Sequence, residues 1–185
     1  MAATPSSMLA LGTKLPAFSL VDAVTGRTVS TEGLAAQNGV LVLFICNHCP
    51  FVIHIRKELV KVATEALDAG LAVVAINSNS IESHPQDGPT HMKELALEEG
   101  WLFPFVFDET QNAAKAFMAA CTPDIYLFDA KLELAYRGQF DDSRPSNGKP
   151  VTGADLRAAL AAVVAKKPVA GEQRPSIGCN IKWKA

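Results

Sequence analysis

Residues 40–55 read VLVLFICNHCPFVIHI, an unbroken apolar run that ends on two cysteines, Cys46 and Cys49, with His48 and Asn47 between them. The run Val40–Ile45 has strand length and no polar alternation, the pattern of a central parallel strand covered on both faces. Beyond the cysteines the period changes. Phe51, Val52, Ile55, Leu59, Val62 and Ala66 recur three or four apart, with Arg56, Lys57, Lys61 and Asp68 between them. That is an amphipathic helix closed by Gly70, and Pro50 suits its first turn, where no backbone donor is needed. Cys46 is expected just before the helix start and Cys49 one turn in and more shielded.

Working outward, Ala17–Ser30 reads as a hairpin turning at Thr25-Gly26, and LAVVAI at 71–76 as a second buried strand. A Ser/Pro/Asn-rich loop leads to a helix around 90–99 stopped by Gly100, then a shorter one over 110–119. Asp124–Phe128 and Leu132–Arg137 alternate and form an antiparallel hairpin. Thr152 and Asp155 resemble a capping box before a last helix carrying Leu156, Leu160, Val163 and Val164. The order β-α-β-α then β-β-α predicts a mixed sheet with helices on both sides. We read one domain over 1–185, with a lead at 1–14 and a tail at 166–185 that packs through Ile177, Ile181 and Trp183.

Composition narrows the function. Apolar residues make up 49% and charged residues 19% of the 185, and the net charge is -2, so nothing favours nucleic acid. No apolar run approaches the roughly 20 residues that span a bilayer. The segment MAATPSSMLALGTKLP lacks a basic leader and a signal-type apolar core, which predicts a cytoplasmic protein. There a CxxC is catalytic or metal-binding more often than structural, and four cysteines in a chain this long are too few for a disulfide scaffold.

At a strand-to-helix junction the free N–H groups favour a thiolate on Cys46, and Cys49 is near enough to resolve a mixed disulfide. A cationic His48 favours the reduced pair, with a potential nearer roughly -180 mV than roughly -270 mV. His54, His84 and His91 read as solvent-exposed. The proton acceptor for Cys49 is open between Glu58 and Asp124. The stretch Asp141–Ser143 with Arg144 reads as a solvated loop. No Gly-rich phosphate motif follows a strand, so no organic cofactor is expected.

Buried strand, CxxC, helix and a later Thr-Pro before a β-hairpin together resemble the thioredoxin fold. GTKLPAFSLVDAVTGRTV resembles the N-terminal hairpin of the alkyl hydroperoxide reductase/thiol-specific antioxidant superfamily and the TlpA-like thioredoxins. CNHCPFV, CTPDIYLFD, YRGQFDDSRPSNGKPVTG and PSIGCNIKWK are similar to a branch of thioredoxin-family, redoxin-domain proteins, and the resemblance runs from Gly12 onward. It implies a thioredoxin-like α/β fold with an added N-terminal β-hairpin and a C-terminal tail. It also implies thiol–disulfide exchange with protein partners and a thiol reductant through Cys46 and Cys49. By the same resemblance Pro123 is the cis-proline facing the pair. Thr122, Pro123 and Asn47 form the partner site, with the Thr122 backbone accepting a partner strand.

Cys121 reads as a buried apolar cysteine or as a third redox thiol, and Cys179 as its possible mate or relay partner. Three rivals remain. A metal site lacks a second paired spacing, and no metal is assigned. A peroxidase of peroxiredoxin type would need Thr where Cys46 stands, and an Arg for which Arg137 is the substitute. A non-catalytic module has no need for both thiols. Oligomeric state is open.

Overall fold

The computed structural model describes residues 3–34 and 36–184, so Met1 and Ala2 of the expected lead and Ala185 of the tail lie outside the described residues. In chain order the elements are β1 (Ala3–Pro5), β2 (Ser19–Asp22), β3 (Thr28–Ser30), β4 (Val40–Phe44), α1 (Pro50–Asp68), β5 (Ala72–Asn77) and α2 (Pro89–Glu98). They continue with β6 (Phe105–Phe107), α3 (Asn112–Ala116), β7 (Cys121–Thr122), β8 (Asp124–Phe128), β9 (Leu134–Arg137), α4 (Ala154–Val164) and β10 (Ile177–Asn180). Among the described residues no helix is long and apolar enough to cross a membrane.

Seven strands form a mixed sheet in the order β3-β2-β6-β5-β4-β8-β9. β4 runs parallel to β5, and β5 to β6, while β8 is antiparallel to β4. All five residues of β4 are buried, which is why its sequence shows no alternation. Its odd positions Leu41 and Leu43 join Val52, Ile55 and Leu59 of α1, Met92 of α2 and Leu156 of α4. Its even positions Val42 and Phe44 face Leu9, Leu15, Ala114 and Phe117 on the opposite side. Gly39 opens β4 at φ +121°, where a Cβ would lie 2.1 Å from the Phe128 carbonyl oxygen, so only glycine lets β4 and β8 close.

The hairpin is anchored by Asp22, whose carboxylate accepts from the Val24, Thr25 and Phe105 N–H groups and from the Thr25 hydroxyl. The capping box does not form. Gly153 is the N-cap of α4, Asp155 accepts from Gln139, and Asp141 receives the Thr152 and Gly153 N–H groups at 2.6 and 2.7 Å. Asp141 and Ser143 are therefore buried, not part of a solvated loop.

A second sheet, β1-β10-β7, was not foreseen. The tail does pack, through half-buried Ile177 and buried Ile181, but Trp183 is exposed. It is tied down by polar contacts: Gln111 donates to the Ser78 and Lys182 carbonyls, and Asn79 Oδ1 accepts the Lys182 N–H at 2.8 Å.

Candidate active site

β4 delivers the chain to Cys46, and α1 begins three residues after Asn47, at Pro50. Cys49 is the N-cap of α1 rather than a residue one turn in, and the two thiols are equally shielded, at 1% and 0% exposure. Both are free, as are Cys121 and Cys179.

Thr122 touches both thiols, its hydroxyl 3.4 Å from Cys46 Sγ and its carbonyl oxygen 3.0 Å from Cys49 Sγ. The Thr122–Pro123 peptide bond is cis, matching the position expected from the resemblance. Interaction between the two sulfurs is the largest influence on each. It makes the first ionisation of the pair easier and the second harder, and at Cys46 burial and then the Asp87 carboxylate also oppose charge. Together the thiols give up one proton easily and the second reluctantly. The contacts decide where the remaining proton sits. A thiolate against the Thr122 carbonyl would be repelled, so Cys49 keeps its hydrogen there, and Cys46, facing a hydroxyl donor, carries the charge.

His48 lies beside Cys46, with Nδ1 3.8 Å from Sγ, but its closer partner is a residue that the sequence reading missed. Asp87 Oδ2 is 2.6 Å from that same Nδ1, and Asp87 Oδ1 accepts the Asn47 and His48 backbone N–H groups at 2.9 and 3.3 Å. Any positive charge on His48 is therefore offset before it reaches the thiol. Asn79 and Asn77 hold Asp87 in turn, through its carboxylate and its carbonyl. No periodicity flags Asp87, since it ends a single 3-10 turn, Pro85–Asp87, too short to show one; the only signal was a carboxylate in a Ser/Asn-rich stretch. His84 is half-buried and stacks on His48 with ring centroids 4.5 Å apart, contrary to its expected exposure. Burial and then the neighbouring His48 hold it below the usual histidine range. His54 is likewise half-buried, 3.2 Å from Ser143 Oγ, and His91 is exposed.

Asn47 donates its side-chain amide to the Gln86 carbonyl at 3.1 Å. Cys46, His48 and Asp87 each offer a ligand atom within 4.8 Å of the others, the one group of three metal-binding side chains found among the described residues. Neither proposed acceptor reaches Cys49. Glu58 is engaged by Lys61 and Arg157. Asp124 alternates onto the other side of the sheet, where it accepts from Tyr126. Burial raises its carboxyl to about 6. Arg137 donates to Gln173 at 2.8 Å rather than to a thiol.

Cys179 lies opposite Thr122 in the β10–β7 ladder and shares the packed cluster of Cys46 and Cys49. Cys121 precedes Thr122 on the same strand, so its side chain points to the other face, with Sγ 3.5 Å from the Pro123 carbonyl. A Cys121–Cys179 bond runs against this alternation. The β7 edge expected to receive a partner strand is occupied by β10 of the same chain.

An uncharacterized conserved protein from Geobacillus kaustophilus is 50% identical, with a TM-score of 0.97 over 100% of this chain and 97% of its own. A hypothetical protein from Sinorhizobium meliloti 1021 is 48% identical, with a TM-score of 0.95 over 98% and 99%. A thiol:disulfide interchange protein of the thioredoxin family from Chlorobium tepidum TLS shares the fold at 18% identity, with a TM-score of 0.63 over 84% and 99%. No curated protein matches the chain. The AhpC/TSA family matches residues 11–137, more than half of the sequence and the whole of the segment that carries both sheet and thiol pair up to β9, so the chain belongs to the AhpC/TSA family, with a thioredoxin-like fold.

Proposed function

We propose that this protein is a thiol–disulfide oxidoreductase acting through a Cys46–Cys49 couple. The observation that carries the reading is the pair of buried, reduced thiols set against the two polar groups of one residue, Thr122. Cys46, as thiolate, attacks a partner disulfide; the partner's S–S bond breaks and one partner sulfur leaves as thiolate. Cys49 then gives up its proton and attacks Cys46 Sγ, releasing the second partner thiol and closing the Cys46–Cys49 disulfide. Two electrons pass to the partner, and a thiol reductant restores the couple. Thr122 supplies the donor that steadies the Cys46 thiolate, and His48, held by Asp87, shapes the approach to it. Pro123, which follows Thr122, and Asn47, which follows Cys46, are assigned to partner contact.

Peroxide reduction is the second reading, favoured by family membership alone. The engagement of Arg137 by Gln173 counts against it.

Titration in glutathione buffers, with alkylation and mass mapping of all four cysteines, tests the couple. The expected result is a Cys46–Cys49 disulfide with one potential between roughly -280 and -150 mV. Stoichiometric zinc in protein purified without added metal, lost together with protection of both thiols on chelation, would overturn it. Peroxide consumption that survives Cys46→Ser and vanishes in Cys49→Ser would establish the second reading in its place.

A further inference from the structure

We propose that Cys179 is a third redox-active residue of this site, carried on a strand of the chain itself that lies where a substrate strand would lie, and that it takes over the disulfide by bonding to Cys49. The inference rests on the Cys46–Cys49 couple proposed above.

Four observations carry it. β10 pairs antiparallel with β7, with Cys179 opposite Thr122 and Asn180 opposite Cys121. Thr122 is the residue that meets both thiols, so the pairing brings Cys179 to the couple. The approach is built for closeness: a Cβ on Gly178 would lie 1.9 Å from the Thr122 carbonyl oxygen, so a side chain there would force the strands apart. Cys46, Cys49 and Cys179 share one buried cluster, and Cys49 and Cys179 each feel the other's sulfur. The tail is also held from outside the ladder, by Asn79, Gln111 and β1.

The step balances without an added oxidant. A partner disulfide first oxidises the couple, as above. Cys179 loses its proton to solvent, and its thiolate attacks Cys49 Sγ. The Cys49–Cys179 bond forms, the Cys46–Cys49 bond breaks, and the electron pair leaves on Cys46 as thiolate. One disulfide is present before and after. Burial and then Cys49 raise the Cys179 thiol to about 12 in the reduced protein. Closing the Cys46–Cys49 disulfide removes the second of these influences and leaves the first. The result frees Cys46 for another partner while the oxidising equivalent is stored under β10.

The test is disulfide mapping of wild type, Cys46→Ser and Cys46→Ala after oxidation with oxidised glutathione. Cys49, Cys121 and Cys179 fall on separate tryptic peptides, so each linkage reads directly. The expected result is a Cys49–Cys179 bond, with loss of two hydrogens, in both variants. In wild type it is expected as a fraction of one-disulfide molecules in which only Cys46 and Cys121 take up alkylating agent. Should both variants misfold, wild type decides: Cys179 alkylated in every one-disulfide molecule overturns the relay. In folded variants, glutathione on Cys49 with Cys179 free, or a bond from Cys179 to Cys121, does the same. Wild type that forms Cys46–Cys49 while failing these tests loses the relay alone; wild type that never forms that bond loses the couple, and the relay with it.

Discussion

Asp87 grips the His48 ring at 2.6 Å from a fully buried position 39 residues further along the chain. The same carboxylate receives the two backbone N–H groups between the cysteines, so it sets the shape of the loop as well as the orientation of the ring. It also opposes ionisation of Cys46.

Asp87→Asn keeps an oxygen for the two backbone donors but turns a second nitrogen toward Asn79 and His48. A loss of about 1–3 kcal/mol in unfolding free energy is expected, as for a buried donor left without its acceptor. Cys46 loses a neighbouring negative charge, so its thiolate forms at lower pH. Urea unfolding and thiolate absorbance against pH check the two effects, and an unchanged titration would remove Asp87 from the electrostatics of the site.

Thr122→Val preserves shape and deletes the hydroxyl facing Cys46 Sγ at 3.4 Å. That hydroxyl favours the thiolate, so its loss raises the Cys46 titration and slows attack on a small disulfide by about fivefold, the equivalent of roughly 1 kcal/mol. Stopped-flow rates for variant and wild type decide this; equal rates at all pH values contradict it.

Asp124 sets a pH dependence of stability. Burial raises its carboxyl from 3.8 to about 6, so the folded state prefers the protonated acid. The resulting stabilisation is complete below pH 3.8 and is lost as pH rises through about 6, by up to about 3 kcal/mol. Asp124→Asn cannot titrate. Its unfolding free energy, measured against wild type, should shift in the variant's favour by about 2 kcal/mol between pH 4 and 7, and a constant difference would refute the assignment.

Gly178→Ala places a methyl against the Thr122 carbonyl, from which a Cβ would stand 1.9 Å away. Overpacking of this kind destabilises by about 1–3 kcal/mol. Because the conflict is between β10 and β7, the strand should loosen first and Cys49 should alkylate faster, about tenfold for 1.4 kcal/mol of local opening. Timed alkylation in the folded protein measures it, and wild-type protection of Cys49 in the variant would show that β10 does not cover the site.

The sequence by itself determined the elements whose signals are local. The apolar run of β4, the 3.6-residue period of α1, the Pro50 start and the hairpin turn at Thr25-Gly26 each report a backbone state or a covered face, and each is where the pattern puts it. The junction carrying Cys46 and Cys49 followed from them, as did the pairing of Asp124–Phe128 with the strand after it. Tertiary structure alone decided what meets the thiols. Asp87 comes from a single 3-10 turn too short to show a period, and alternation along β7 and β8 sends Cys121 and Asp124 away from Cys49 while leaving Thr122 beside it. Above all, β10 reaches the β7 edge because Gly178 permits the approach and because Asn79 and Gln111 hold the residues after it. Those are long-range contacts between short polar segments. Their energy lies in satisfied hydrogen bonds and close backbone fit rather than in a repeated apolar face, and a fit of that kind has no period for a sequence to display.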